Sequence, residues 1–427
     1  MGKIAILGAG PAGISAAYHL KKAGIPATVY EKKNTYGGLC GGFTIDGFHF
    51  DNFAHLTFSK NPQVNALLEE QTPYLIHQPE AMNYYEGSWV RNPVQNNLCG
   101  LPVEDRIRVI TDYVNREEKT EPKNYGQWLR LAYGDYFAEH FPYRYTRKYW
   151  TVEPEKLETE WVKGRMYVPS LEEILRGAFE SDTPNVHYSK EMHYPKEGGF
   201  QGFLKPLIKG IDIEYKKEVV KLAPEEKRIT FADGSEESYD HLITTLPLSL
   251  LPEMTEGLPD SVCRAAERLD YTSGYMISVG VNKEISFPTI WFYIYDESIL
   301  SARVYFPNKK APGNVPEGCS SLQAEVYVSR YRSFEGTKEE LQEKVIEQLI
   351  DMGLFKKEDI IVKDVRFEEF ANIMFTPEIY EARKTVREYL ERQGILCAGR
   401  FGEWDYLWLE QSLLSGKRAA EEFLENR

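Results

Sequence analysis

Lys3–Gly42, KIAILGAGPAGISAAYHLKKAGIPATVYEKKNTYGGLCGG, is the stretch from which the fold is read. Lys3–Leu7 is a short apolar run of the kind that forms a buried parallel strand. It breaks into Gly8-Ala9-Gly10-Pro11-Ala12-Gly13, and a helical pattern follows to Gly24. Ala27–Tyr30 then reads as a second strand closed by Glu31. Each glycine has its own job. Gly8 permits the tight turn, Gly10 lets a pyrophosphate approach the backbone, and Gly13 lets helix and strand pack closely. Ala12 lies in the same turn, where the helix N-terminus presents free N–H groups to phosphate. Glu31, at the tip of the second strand, is placed to bind ribose hydroxyls. The stretch predicts a dinucleotide-binding α/β unit.

The rest of the composition sets bounds. A chain of 427 residues exceeds one ordinary core and predicts two or three lobes. A formal charge of −14 argues against a nucleic-acid partner. No apolar run is long enough for a membrane span. The N-terminus runs straight into a core strand with no signal-peptide pattern. Five scattered cysteines without CxxC spacing read as a reduced, cytoplasmic chain without structural zinc or disulfides. Cys40 reads as filler. The 28 Tyr, 21 Phe and 7 Trp suit a cleft for flat or sugar-like ligands as well as a large core.

Along the chain, Phe43–Phe50 and Asp51–Ser59 read as extended runs, with a turn at Asp46-Gly47. Met82–Val90 reads as a hairpin turning at Glu86-Gly87. From Val103 to Phe179 the pattern is helical: Ile107, Ile110 and Val114 recur at helical spacing, and Ser170/Glu173 is a capping box. Ile213–Leu222, Lys227–Phe231 and Tyr239–Thr245 read as strands, with a turn at Asp233-Gly234. Tyr275–Val281, Thr289–Tyr295, Ala302–Phe306 and Leu322–Val328 predict a second sheet. Thr337–Met352 is an amphipathic helix with its own Thr337/Glu340 cap. Gly394–Cys397 is a last strand and Leu409–Asn426 a last helix. The implied architecture is α/β: a discontinuous Rossmann-like dinucleotide-binding domain, an inserted helical lobe and a β-sheet substrate domain. Its boundaries read as dinucleotide-binding 1–80, 191–262 and 386–427, substrate sheet 81–102 and 263–385, and helical lobe 103–190.

Glu31-Lys32-Lys33-Asn34-Thr35-Tyr36-Gly37-Gly38-Leu39 resembles the E-x5-GG extension of the FAD-dependent amine-oxidase-like superfamily, and this resemblance makes the dinucleotide FAD. It implies cofactor contacts from Glu31, Lys32, Gly37, Gly38 and Leu39. The strand–hairpin–strand run ending in Thr-Leu-Pro is similar to the same superfamily and places Val219 beside the adenine.

Further blocks resemble the flavin-dependent UDP-galactopyranose mutases, both eukaryotic-type enzymes and bacterial relatives in cell-surface polysaccharide synthesis. Phe50-Asp51-Asn52-Phe53-Ala54-His55-Leu56-Thr57-Phe58-Ser59 is similar to their aromatic-Asp…Gly-Gly-His…Phe-Ser run, with Phe53-Ala54 in place of Gly-Gly. Asn92–Asn97 resembles their aromatic-Pro-x-Gln-Asn-Asn run, with Asn92 in place of the aromatic, and contributes Gln95. Tyr145-Thr146-Arg147-Lys148-Tyr149-Trp150 matches Tyr-Asn-x-Lys-x-Trp except at Thr146. Arg165 follows that tryptophan by fifteen residues, with Trp161 before it. Trp291-Phe292-Tyr293 precedes Arg303, Tyr293 by ten residues. Gly399-Arg400-Phe401-Gly402-Glu403-Trp404-Asp405-Tyr406 matches Gly-Arg-Phe-Gly-x-Trp-x-Tyr. Glu410 stands where the family has asparagine.

By this resemblance His55, Arg165 and Arg303 are the catalytic set. Gly399, Arg400 and Gln411 join the cofactor contacts, and Gln95, Tyr145, Thr146, Trp161, Trp291, Tyr293, Tyr406 and Glu410 reach the substrate. The implied activity is pyranose–furanose isomerisation of a nucleotide sugar, assisted by reduced FAD, with NADPH a candidate reductant and no metal. Two arginines suit a diphosphate because the guanidinium forks are permanently charged. The alternative is a flavin oxidoreductase of the amine-oxidase or protoporphyrinogen-oxidase kind. An oligomer is compatible with either reading.

Overall fold

The computed structural model describes residues 2–117, 120–162, 164–184, 186 and 189–425, so Met1 and Asn426 lie outside the described residues. Ile4–Leu7 is buried along its whole length, as an apolar run covered on both faces must be. It is the central strand of a five-stranded parallel sheet, flanked by His241–Thr244 and Ile395–Cys397 on one side and Thr28–Glu31 and Asp212–Tyr215 on the other. The helix Pro11–Lys22 leaves this sheet with proline in its first turn. The final helix, Leu409–Glu425, packs against it so closely that a Cβ on Gly416 would stand 1.9 Å from the Ala12 carbonyl oxygen. Ser15 Oγ donates to Leu413 O across the same contact (2.6 Å).

A second, seven-stranded sheet runs in the order Ile360–Ile373, Tyr271–Val281, Ser320–Val328, Arg303–Tyr305, Trp291–Ile294, Ala81–Tyr85 and Ser88–Arg91. Its pairs are antiparallel except that of Trp291–Ile294 with Ala81–Tyr85. Alternation along these strands sorts the side chains. Leu322, Ala324, Val326, Val304, Phe292 and Ile294 share a core with Leu341, Val345, Ile346 and Leu349 of the helix Lys338–Asp351. Gln323, Glu325, Tyr327, Arg303, Tyr305, Trp291 and Tyr293 alternate with them and so face the other way. The predicted caps of both helices are present, Ser170/Glu173 and Thr337/Glu340.

Two of the expected strands need correction, and two further findings go beyond the expectations. Ile213–Leu222 is not one strand: Asp212–Tyr215 belongs to the parallel sheet, the chain turns at Lys216 (φ 59°), and Val219–Ala223 starts a separate three-stranded antiparallel sheet. Asp51–Ser59 is not a strand either. The hairpin is Gly42–Ile45 with Phe48–Asp51, and extension ends where Phe53 turns left-handed at φ 65°. On the helix Val103–Asn115 the buried residues are Val109 and Tyr113, whereas Ile107 and Val114 are 51% and 57% exposed. Tyr113 is drawn inward because its hydroxyl donates to Pro169 O (2.6 Å). Finally, the strand Ile360–Ile373 and the helix Ile379–Arg392 have no counterpart in the sequence reading. Charged residues on an exposed edge interrupt the strand's alternation.

Candidate active site

The polar faces of the second sheet look across at the glycine turn of the first, and between them lies a cavity of about 480 Å³. At one end is Glu31, buried, its carboxylate accepting from the backbone N–H groups of Ala9 and Lys33 (2.8 Å each). Lys32 and Val219 line the same end. Next comes the glycine turn. A Cβ on Gly10 would meet nothing within 4 Å, so the backbone is open to the cavity there, whereas one on Gly13 would strike Gly8 O at 2.0 Å. Gly13 therefore serves helix–strand packing, while Gly10 leaves its backbone open to the cavity. Gly38 lies against Gly10, 3.3 Å from a built Cβ to the Gly10 Cα, with Leu39 beside it on the cavity wall. Gly37 sits behind, its N–H on Ala9 O (2.7 Å). Gly8, Ala12, Gly399 and Arg400 complete this wall.

The middle of the cavity is built on a buried carboxylate. Glu325, fully buried, accepts from Arg303 Nε (2.8 Å) and Nη2 (3.0 Å), from the Tyr327 hydroxyl (2.7 Å) and from the Ala54 N–H (2.8 Å). Burial alone would make Arg303 easier to deprotonate, but Glu325 overrides it and holds the guanidinium charged, well above its ordinary range. These bonds use Nε and Nη2 and leave Nη1 out of the pairing. Around them stand Tyr149, Tyr293, Tyr305 and Tyr327. Below, a second ion pair joins Lys310 to Asp51, both buried, and Asp51 also accepts from Tyr194 Oη (2.8 Å) and Phe200 N–H (2.9 Å). Asp51 is thereby held well below the carboxylate range: burial pushes it up, and Lys310 and His49 more than reverse that.

His55 forms part of the cavity wall and stacks on Phe200 at 5.1 Å. Burial lowers its pKa to about 4 despite the attraction of Asp51, with Lys310, Arg400 and Arg303 adding to the lowering, so the imidazole is neutral near pH 7. Among the described residues its buried Nδ1 has no hydrogen-bond partner. Cys40, also on the wall, has its thiol pushed up to about 12 by burial and is unreactive for that reason.

The remaining predicted residues divide. Trp291, Tyr293 and Tyr406 line the cavity, together with His55, Arg303 and Arg400. Arg400 donates from Nε to Leu407 O (2.9 Å), and among the described residues no carboxylate pairs with it. Arg165 stands one layer back. Its guanidinium stacks on the rings of Tyr406 (4.2 Å) and Trp408 (4.6 Å), and Nη2 donates to Tyr406 O (3.1 Å). Tyr145 is likewise behind the wall, against Tyr149 (5.4 Å) and Tyr293 (5.5 Å). Trp161 packs on Trp150 (5.4 Å), Thr146 is buried, and Gln95 Nε2 donates to Tyr167 O (3.0 Å). Glu410 is turned away, accepting from Lys60 N–H (3.1 Å), and Gln411 caps its own helix through Trp408 N–H (2.9 Å).

Lys33, Lys310, Tyr327 and Glu368 line the cavity without having been given a role from the sequence, as does Phe53, which was marked there only as a departure from Gly-Gly; Glu325 stands behind Arg303. The alternation of Gln323, Glu325 and Tyr327 within an otherwise apolar strand was the available signal for the last.

Among the described residues no helix is long and apolar enough to cross a membrane, and no group of three His, Cys, Asp or Glu could hold a metal ion. In sequence, a 39-residue stretch is 51% identical to thiamine thiazole synthase of Saccharolobus islandicus, covering 9% of this chain and 15% of that protein. Another of 68 residues is 34% identical to protoporphyrinogen oxidase 2 of Arabidopsis thaliana, 16% of this chain and 13% of that one. The chain thus matches less than a sixth of the length of either relative. Among solved structures, reduced UDP-galactopyranose mutase is similar over 100% of this chain and 96% of its own, with a TM-score of 0.93 and 27% identity. A protoporphyrinogen oxidase structure from Exiguobacterium shares the fold (TM-score 0.76, 18% identity, 100% and 99% coverage). The family of flavin containing amine oxidoreductases matches residues 11–424, nearly the whole chain, and this chain belongs to it.

Proposed function

We propose that the cavity holds FAD from Glu31 to the Arg303 region, and that the chain is a nucleotide-sugar mutase of the UDP-galactopyranose mutase kind. The observation that carries this reading is full-length likeness to a reduced mutase, combined with Arg303 pinned by Glu325 through Nε and Nη2, with Nη1 outside that pairing. The residues fit the cofactor. Gly10 opens backbone to the cavity, the helix Pro11–Lys22 points its N-terminus there, and Glu31 is fixed with lone pairs left for ribose. Reduced FAD, when bound, supplies a nucleophilic nitrogen for an exchange at the anomeric carbon without net oxidation.

The chain's own groups would do the rest. Arg303 donates to the leaving diphosphate, and Glu325 keeps the fork oriented so that no side-chain ordering is needed on binding. Tyr293 and Tyr406 add hydroxyl donors. Neutral His55 contributes hydrogen bonding without charge. Arg165 holds the Tyr406–Trp408 wall by stacking on it and is proposed as a support for the substrate end, with Tyr145 and Trp161 as packing beneath it. NADPH is proposed as the reductant.

The test is UDP titration of the oxidised and reduced holoprotein, alongside Arg303→Lys. Tighter binding to the reduced form, lost with the lysine, is the expected result. UDP affinity unchanged by the substitution would remove Arg303 from the site.

One observation favours a second reading. Arg303 and Lys310 are each matched by a buried carboxylate, and four tyrosines surround them, so this part of the cavity is close to an uncharged aromatic cage. Such a cage suits a flavin oxidoreductase of a neutral or amine substrate. Oxygen uptake with substrate turnover would identify it.

A further inference from the structure

Lys33 and Glu368 face each other across the Glu31 end of the cavity. Lys33 follows the strand Thr28–Glu31 of the parallel sheet, and Glu368 lies on Ile360–Ile373 of the seven-stranded sheet. Both side chains line the cavity, and their charged ends meet in an ion pair. The backbone of Lys33 is fixed at both ends of its peptide units: its N–H donates to Glu31 Oε1 (2.8 Å), and its carbonyl accepts from Lys216 N–H (3.1 Å). The long side chain alone therefore makes the crossing. Nearby Lys217 is not available to replace it, because its Nζ is held by Asp233 (2.8 Å) and Ser235 (2.8 Å). On the opposite bank Glu369, Phe370 and Ala371 continue the wall.

We propose that the Lys33–Glu368 pair is a latch over the adenosine end of the FAD site, and that these two are positioning residues for the cofactor. This rests on the FAD reading above. A lysine stem and a strand-borne carboxylate can part by side-chain rotation, so the latch opens without moving either sheet. Closed, it spans the gap between the sheets beside Glu31 and slows FAD release, while the Arg303 region is untouched. The side chains are 34% and 19% exposed, so added salt weakens the latch without abolishing it.

The experiment uses the FAD-loaded protein, diluted into an excess of a flavin scavenger, with release followed by flavin fluorescence. Lys33→Ala and Glu368→Gln should each release FAD about three- to fivefold faster, as expected for one partly exposed pair. The double variant should be no faster than either single. The swap Lys33→Glu with Glu368→Lys should return towards the wild-type rate, and about 0.5 M salt should accelerate the wild type but not the singles. Singles that release at the wild-type rate, or a swap that stays fast, would overturn the latch. A wild-type chain that retains no FAD would instead overturn the cofactor reading, a result distinct from one in which wild type and variants hold it alike.

Discussion

At the scale of single residues, His55 and Arg303 carry opposite electrostatic problems. His55 is neutral in the fold because burial lowers its pKa to about 4, whereas in the unfolded chain it titrates near 6.5. The unfolded state therefore takes up a proton between those values and the folded state does not. Stability should be full above about pH 6.5 and fall as pH drops towards 4, by up to about 2–3 kcal/mol. Urea unfolding at pH 7 and pH 4.5 should show this loss, and His55→Gln should flatten it. Asp51, held below its ordinary range, acts in a separate window: its stabilisation is present above the usual carboxylate pKa and lost below it. Arg303 poses the inverse case. Its removal strands Glu325, a buried carboxylate left with one hydroxyl and one amide donor. Arg303→Ala should cost about 3–5 kcal/mol of stability, and Arg303→Met with Glu325→Met much less than the sum of the singles. Equal and additive losses in denaturant titrations would mean that the pair is not a unit. Arg303 was legible in the sequence through its spacing from Tyr293. The strand's alternation marks Glu325 as polar, but its pairing with Arg303 was not legible, because a carboxylate 22 residues on is brought back only by strand pairing.

At the scale of elements, Phe53 and Gly416 show where packing decides conformation. Phe53 adopts φ 65°, a conformation unfavourable to a bulky side chain, and its ring occupies the space over Gly274. A Cβ on Gly274 would come within 2.6 Å of that ring. The surroundings hold the turn: Tyr305 Oη donates to Phe53 O (3.3 Å), and Phe53 N–H meets Met276 Sδ (3.1 Å). Gly274→Ala should destabilise by about 1–3 kcal/mol through overpacking, and Phe53→Gly should make that substitution nearly silent in thermal unfolding. Gly416→Ala should prise the last helix from Pro11–Lys22, lowering the thermal midpoint and weakening FAD binding together. These elements also mark how far the sequence could be read. The strand–turn–helix of Lys3–Gly24, the hairpin at Glu86-Gly87 and both capping boxes are local, and local chemistry suffices for them. The left-handed Phe53 is held by contacts from distant strands, so the extended pattern through Asp51–Ser59 misleads. The strand Ile360–Ile373 is an edge whose charged residues hide its alternation, and it supplies Glu368.

At the scale of the whole molecule, two sheets from interleaved pieces of chain are brought face to face, one offering a glycine turn and the other a polar strand face. The glycines, Glu31, His55, Trp291, Tyr293, Arg303 and Arg400 could be placed on that cavity from sequence motifs. Arg165, Tyr145, Trp161, Gln95, Glu410 and Gln411 could not be told from second-layer residues, since depth behind a wall leaves no trace in spacing. The proposed chemistry is one of isomerisation, and it differs from oxidation in what is consumed. The most direct measurement is anaerobic incubation of the FAD-loaded protein, reduced with dithionite, with a panel of UDP-hexoses, followed by chromatography, and the same panel in air with an oxygen electrode. The account predicts a ring-contracted isomer from at least one sugar with reduced flavin only, and no oxygen uptake coupled to it. Oxygen uptake linked to a substrate, with every nucleotide sugar recovered unchanged under reduction, would contradict it.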